Sequence, residues 1–242
     1  MPGYHWIPAS LQGRLLDREA KRDRARLEQD VTELAAALDS VREASPELDA
    51  AYRSFVELPE ADPVMAASPD LARFLLAWCR CRRPRRIADL GSGFSSWLFR
   101  WWAAAEPEEV TVVSVDDDPA WLDRSRAFAA DRGLEGGDFR GWRAFRAGSE
   151  AFDLVLWDYG DIRTRAERLP EVLARVREGG ALVCDDVHKH RVWRAARSCA
   201  GAAGIEAYSL RAYTLDRWGR YAWLARLAGR GRGAGGIGRR SA

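Results

Sequence analysis

From about residue 87 onwards, the chain alternates between two patterns of hydrophobic and polar positions. Short apolar runs rich in Val, Ile and Leu are followed by longer stretches in which apolar residues recur every three or four positions. The short runs are typical of buried parallel strands, and the longer stretches are typical of helices that cover a sheet. The predicted strands span residues 87–90, 110–116, 138–145, 152–158, 181–186, 205–210 and 221–225. This order predicts an α/β fold with a doubly wound, mostly parallel sheet.

Two details of this pattern concern the connections between strands. Apolar spacing predicts a helix over residues 162–176, which we expect to end at Gly179-Gly180 before the next strand. The predicted strand 138–145 is followed closely by the strand 152–158, so we expect the helix between them to be truncated.

The first 70 residues have a different pattern, which predicts helices. Five apolar residues alternate spacings of four and three, as in a coiled-coil seam: Leu27, Val31, Leu34, Leu38 and Val41. The repeat lasts about two heptads, which is short for a coiled coil. We therefore expect residues 1–70 to form a helical extension or lid that packs against the main domain. Formation of a homodimer through this helix is the alternative.

Composition narrows the possible classes of protein. The 242 residues fit one main domain, which we place at residues 71–228, and a Gly- and Arg-rich tail, residues 229–242, which we expect to be disordered. A net charge of +2 gives no reason to expect specific nucleic-acid binding. Apolar runs are too short to span a membrane, and the four cysteines lack metal-ligand spacing. We therefore expect reduced cysteines and a cytoplasmic location.

A glycine-rich turn follows the first predicted strand. The strand ends at Leu90 and leads into Gly91-Ser92-Gly93, after which a helical pattern begins. Two close glycines allow a sharp turn and let a ligand lie against bare main chain. Asp89 makes this turn acidic, and no Lys or Arg is present in it, which favours a cationic, phosphate-free nucleotide. A dinucleotide-dependent dehydrogenase is disfavoured because the third glycine of its motif is missing.

Carboxylates follow three further strands. Asp116 ends the second strand, at the position where a nucleotide ribose is held, and Asp117 is a second candidate there. Asp117 or Asp118 is also placed to cap the next helix. The fourth strand ends in Asp158, and the fifth ends in the pair Asp185-Asp186. Because the carboxyl ends of parallel strands line one crevice, we expect these residues to converge there.

The segment Asp89-Leu-Gly-Ser-Gly93 and the spaced acids resemble class I S-adenosylmethionine (SAM)-dependent methyltransferases over residues 87–227. The resemblance is to the small-molecule, catechol O-methyltransferase-like type. It implies SAM as cofactor and a Rossmann-like fold whose sheet closes with a C-terminal antiparallel hairpin. The implied cofactor-binding residues are Asp89, Gly91, Ser92, Gly93, Asp116 and Asp117. The implied reaction is methyl transfer to an oxygen or nitrogen of a small molecule.

Asp158, Asp185 and Asp186 resemble the divalent-metal ligands of the same enzymes, which implies Mg²⁺ at these oxygens. Those enzymes carry a lysine base three residues after the first ligand, where this chain has Asp161. We therefore assign catalytic roles to His188, as a substitute base, and to Asp158. His188 is alternatively a metal ligand with His190, and Asp185 or Asp186 a helix cap.

Two alternative functions remain at this point. One is a nonenzymatic SAM-binding or scaffold protein, because the expected lysine is missing. The other is an aminopropyltransferase-like enzyme, because such enzymes also place acids after the fourth strand.

Overall fold

The computed structural model describes residues 9–43, 45–59, 61–203 and 205–228. Its strands are β1 Arg86–Leu90, β2 Thr111–Val115, β3 Asp138–Arg140, β4 Phe152–Trp157, β5 Val176–Cys184, β6 Glu206–Ser209 and β7 Trp223–Arg226. Its helices are α1 Ala9–Asp30, α2 Leu34–Glu43, α3 Ser45–Val56, α4 Pro69–Arg82, α5 Phe94–Ala104, α6 Pro119–Ala130, α7 Trp142–Ala147, α8 Ile162–Leu173, α9 His190–Ala203 and α10 Arg211–Thr214. The tail 229–242, for which the sequence predicts disorder, lies outside the described residues. Among the described helices, none combines the length and apolar character needed to cross a bilayer.

The seven strands form one sheet in the order β3-β2-β1-β4-β5-β7-β6. The first five are parallel, whereas β7 is antiparallel to both β5 and β6. This arrangement confirms the predicted doubly wound, mostly parallel sheet with an antiparallel C-terminal hairpin. The strand order reverses between β1 and β4, which is where ligands bind in open α/β sheets.

Alternate side chains of each strand point to opposite faces of the sheet, and both faces are buried beneath helices. Ile87 and Leu156 belong to one apolar core, which α2 to α5 also enter, and Ala88 and Trp157 belong to a second core beneath α7, α8 and α9. Helices thus cover the sheet on two sides, and the edge formed by the carboxyl ends of its strands is left for a binding site.

The N-terminal helices pack against the main domain. Leu27, Val31, Leu34 and Val41 are buried within the chain's own first core. The region is two helices rather than the single one suggested by the apolar repeat, because the chain turns between Asp30 and Leu34. This arrangement fits the prediction that the N-terminal helices pack against the main domain. The homodimer stays a prediction, but the apolar residues that would form its seam already pack within the chain itself.

Two predicted boundaries are wrong. Residues 142–145 are helical in α7, because β3 stops before Gly141, and Trp142 and Phe145 then face the second core at helical spacing. The helix predicted over residues 162–176 ends at Leu173, and β5 already begins at Val176. The pairing of β4 with β5 jumps between Phe152 and Leu154, and Gly179 there has a φ of +76°. The two glycines thus form an irregularity inside β5 rather than a helix end.

Candidate functional site

The turn after β1 is pressed against the end of β4. Gly91 has a φ of +104°, and a Cβ atom built on it would lie 2.5 Å from the carbonyl oxygen of Asp158. The amides of Gly91 and Ser92 donate to the carbonyl of Val115 at the end of β2 (2.9 and 3.2 Å), and the Asp158 amide donates to Leu90 (2.8 Å). Only glycine fits this position, and the turn holds the ends of β1, β2 and β4 together.

Asp89 lies beneath the turn and is completely buried. Its carboxylate accepts hydrogen bonds from Ser95 Oγ (2.7 Å), Ser96 Oγ (2.5 Å) and Ser114 Oγ (3.0 Å). Burial raises the pKa of Asp89, although the three hydroxyls and the charge of Arg100 oppose this shift. All of these partners belong to the protein, so Asp89 orders the turn and the first turn of α5.

Arg100 is a buried cation that the sequence analysis did not single out. Its Nη1 donates to the Ser96 carbonyl (2.9 Å) and to Ser114 Oγ (2.8 Å), and its guanidinium lies 3.9 Å from the ring centroid of Phe139. Burial lowers the Arg100 pKa to about 10, which Asp89 partly opposes. The signal in the sequence is an Arg at an inward-facing position of an otherwise apolar helix.

Unpartnered polar groups lie around the glycine-rich turn. Ser92 Oγ and the Tyr52 hydroxyl are buried and have no hydrogen-bond partner among the described residues. The Trp121 indole N–H donates to the Ser92 carbonyl, and the Trp121 ring lies 3.7 Å from the Cβ position of Gly93. Since buried polar groups are normally paired, these hydroxyls are candidates for contacts with a bound ligand.

The three aspartates after β2 have different partners. Asp116 is partly buried; its Oδ1 accepts from the Asp118 amide (3.1 Å), and burial raises its pKa. Asp118 caps α6, accepting from the amides of Ala120 (2.9 Å) and Trp121 (3.3 Å). The capping alternative therefore holds for Asp118, which leaves Asp116 as the residue available at the strand end.

Asp117 belongs to the wall between β2 and β4. Its carboxylate accepts from the Trp142 amide (2.9 Å) and from the Tyr159 hydroxyl. The rings of Trp142 and Tyr159 stack with centroids 5.0 Å apart. Asp117 thus fixes two aromatic residues beside the crevice.

Asp158, Asp185 and Asp186 come together, as their positions at strand ends predict. All three line a cleft of about 490 Å³. Asp186 has a φ of +61°, in the left-handed region that Asp tolerates better than most residues. Exposed apolar side chains, among them Met65 and Ile162, lie at the rim of the same cleft.

Arg165 lies between two of these carboxylates. Its Nη1 is 2.7 Å from Asp158 Oδ1 and 2.8 Å from Asp186 Oδ2, and its Nη2 donates to the carbonyls of Asp158 (3.0 Å) and Gly160 (3.2 Å). Its side chain is only 9% exposed. Arg165 was not among the predicted site residues, although its spacing from Leu169 and Val172 places it on the inner face of α8.

These contacts give the three aspartates different pKa shifts. Burial raises the pKa values of Asp158 and Asp185, and the charge of Arg165 opposes both shifts. Burial acts in the same direction on Asp186, but the hydrogen bond from Lys189 Nζ (2.6 Å) and the charge of Arg165 hold its pKa below the usual value. Within the described part of the chain, Asp185 is the one carboxylate of the three that forms no ion pair.

The residues do not fit the expected Mg²⁺ in this arrangement. Over the described ranges, no group of three His, Cys, Asp or Glu side chains is arranged to hold a metal ion. The guanidinium of Arg165 already contacts an oxygen of Asp158 and an oxygen of Asp186, two of the predicted ligands.

Asp161 lines the cleft, whereas His188 is not among its lining residues and lies beside Asp186. Asp161, at the position of the missing lysine, caps α8 by accepting from the Thr164 amide (2.7 Å), which lowers its pKa. His188 Nδ1 lies 3.4 Å from Asp186 Oδ1, and burial lowers the His188 pKa, although Asp186 opposes this. His190 begins α9 and stacks on Trp193. His188 is thus the histidine adjacent to the acids.

Neither a family model nor a curated protein sequence matches this chain. Solved structures do resemble it. The O-methyltransferase TomG from Streptomyces achromogenes, in complex with SAM, is 21% identical with a TM-score of 0.54, over 77% of this chain and 90% of TomG. The O-methyltransferase from Bacillus cereus, in complex with SAH, is 16% identical with a TM-score of 0.55, over 84% of this chain and 97% of that one. Cofactor-bound Rv0187 from MTB is 22% identical with a TM-score of 0.54, over 86% and 96%. This chain therefore has the Rossmann-like fold of the two O-methyltransferases.

Proposed function

We propose that this protein transfers a methyl group from SAM to a hydroxyl or amine of a small molecule. The observation that carries the proposal is that Asp158 connects the two parts of the site. Its carbonyl touches the glycine-rich turn at Gly91, and its carboxylate lines the acidic cleft. A cofactor on the turn and an acceptor in the cleft would therefore be neighbours, as direct group transfer requires.

The residues around the turn fit SAM. Gly91 and Gly93 leave the main chain bare, and Ser92 Oγ and the Tyr52 hydroxyl lack partners among the described residues. Asp116 follows β2 directly, where its carboxylate would accept hydrogen bonds from the ribose. SAM, when bound, supplies a methyl group on a positively charged sulfonium. TomG and the Bacillus cereus enzyme, whose fold this chain shares, were crystallised with SAM and SAH. Asp89 and Asp117 act here through the backbone and aromatic groups that they hold in place.

The proposed proton acceptor is His188. Because burial lowers its pKa, the imidazole is neutral at pH 7 and able to accept a proton. Asp186 lies beside Nδ1 at 3.4 Å, which leaves Nε2 for the proton of the acceptor hydroxyl or amine. Asp158, which is paired with Arg165, has a positioning role in this scheme.

Calorimetric titration with S-adenosylhomocysteine (SAH) tests the cofactor site. We expect binding in the micromolar range and an affinity about tenfold or more lower in Asp116→Ala, because a hydrogen bond to a charged group is lost. Asp123→Ala is the matched control, since this carboxylate lies exposed on α6, where it pairs with Arg126. The absence of SAH binding by the wild type would contradict the proposal and favour the aminopropyltransferase-like or scaffold alternative.

Methyl transfer itself is tested by SAH formation from SAM with a panel of small hydroxy- and amino-aromatic compounds. A protein that binds SAH but transfers no methyl group to any acceptor would favour the nonenzymatic SAM-binding alternative. Measuring products by mass distinguishes methylation on oxygen from methylation on nitrogen.

A further inference from the structure

We propose that Arg165 is the built-in cation of the acidic cleft and takes the place that the sequence resemblance assigns to a divalent metal ion. The cleft then works without a bound metal. Metal binding can be measured without methyl transfer, whereas the consequence for the acceptor rests on the proposed function.

The contacts of Arg165 carry this inference. One terminal nitrogen, Nη1, bridges Asp158 Oδ1 (2.7 Å) and Asp186 Oδ2 (2.8 Å), and the other, Nη2, donates to the carbonyls of Asp158 and Gly160. A Mg²⁺ ion needs such oxygens at about 2.0–2.1 Å in octahedral geometry. Because two cations cannot occupy the same space and repel each other strongly where water is excluded, the guanidinium and the ion are mutually exclusive.

The local fold fixes this cation in position. Arg165 lies on the inner face of α8 with Leu169 and Val172, both of which are completely buried. The indole N–H of Trp157, the last residue of β4, donates to the Arg165 carbonyl at 3.1 Å. Arginine stays charged at every relevant pH, and its planar fork suits the bridging of two carboxylates. The positive charge is therefore permanent and belongs to the scaffold.

This arrangement restricts the class of acceptor. A metal site can bind two adjacent oxygens of a substrate, whereas a guanidinium only donates hydrogen bonds and offers no coordination position. Asp185, which lines the cleft and forms no ion pair within the described ranges, remains to accept a hydrogen bond from one hydroxyl or amine. The exposed side chains of Met65 and Ile162 at the rim suit an apolar body. The inferred acceptor is thus an apolar small molecule with a single nucleophilic group at the reacting position.

Binding of Mn²⁺, followed by electron paramagnetic resonance, tests the inference on the full chain. We expect weak binding by the wild type and by Arg146→Ala, a control that removes an exposed charge outside the lining of the cleft, where Arg146 pairs with Glu171 of α8. Arg165→Ala is expected to bind Mn²⁺ at least about tenfold more tightly, because it frees Asp158 and removes one of the two cations that contact Asp186. Adding Asp158→Asn to Arg165→Ala should abolish this gain. A folded Arg165→Ala protein with no gain in affinity would overturn the inference.

If Arg165→Ala does not fold, Mn²⁺ binding by the wild type and by Asp158→Asn still decides the question. Tight Mn²⁺ binding by the wild type that Asp158→Asn weakens would overturn the inference, and weak binding unaffected by Asp158→Asn would support it. SAH titration separates the two proposals. If the wild type binds SAH and also binds Mn²⁺ tightly at these carboxylates, only the proposal of a built-in cation is refuted. If the wild type does not bind SAH, the proposed function is refuted.

Discussion

Replacing Gly91 with alanine should damage both the stability of the protein and its cofactor site. The φ of +104° is unfavourable for alanine, and the new Cβ atom would lie 2.5 Å from the Asp158 carbonyl oxygen and 2.9 Å from the Tyr159 amide nitrogen. These neighbours are backbone atoms held by the sheet, so they cannot rotate away as the end of a flexible side chain would. The strain must be relieved by separating the ends of β1 and β4.

The magnitude follows from two contributions. A left-handed backbone costs alanine about 1–2 kcal/mol, and overpacking of a close-packed site costs about 1–3 kcal/mol. The expected loss is therefore roughly 2–5 kcal/mol, a large part of the stability of about 5–15 kcal/mol typical of a domain. Because the turn also touches Asp158, we expect SAH affinity to fall at the same time.

Gly93→Ala is the matched control, two residues away in the same turn. Its Cβ atom would lie 3.7 Å from the nearest atom, Trp121 Nε1, at ordinary van der Waals distance. Urea unfolding should show a change below about 1 kcal/mol for Gly93→Ala, because the added methyl group finds space there. Equal losses for the two variants, or a larger loss for Gly93→Ala, would refute the argument that the turn is pressed against β4.

Three further predictions concern a helix cap, a buried carboxylate and the proposed base. Ser68→Ala removes the hydroxyl that accepts from the Leu71 amide (3.1 Å), so urea unfolding should show a loss of about 1 kcal/mol, with SAH affinity unchanged. Because burial raises the Asp89 pKa above 3.8, the folded state binds more protons than the unfolded state between these pKa values. Asp89 thus makes wild-type stability fall as pH rises through that interval. Urea midpoints of Asp89→Asn should fall less steeply with pH than those of the wild type, and the remaining slope comes from Asp116, Asp158 and Asp185, whose pKa values are also raised. His188→Gln should lower kcat about 100-fold or more while leaving SAH affinity unchanged, and an unaltered kcat would exclude His188 as the base.

The sequence predicts those parts of the fold and site that follow from strand periodicity. Parallel strands must bring their carboxyl ends to one edge, so the convergence of Asp158 with Asp185 and Asp186 could be foreseen without coordinates. The turn at Gly91 could also be located from the sequence, because the strand pattern changes abruptly to a helix pattern at a glycine-rich junction.

The partners of these acids could not be predicted in the same way. Arg100 and Arg165 each interrupt an apolar pattern at an inward-facing helix position, and a charged residue is ordinarily assigned to solvent. Their burial depends on carboxylates and serines that are distant in the sequence. The irregularity at Gly179 is likewise decided by the pairing of β5 with β4, because two glycines alone are equally typical of a helix end.

The contact between α1 and β6 has a consequence for the state of the protein in solution. β6 is an edge strand, and α1 lies along it, with the Ser209 amide donating to Asp23 (2.9 Å) and the Tyr208 hydroxyl donating to Asp30 (2.5 Å). An uncovered edge strand is a template on which a second chain can add its own strand. The N-terminal helix thus protects the sheet from aggregation, and a chain shortened to begin after Asp30 would expose β6 to edge-to-edge association.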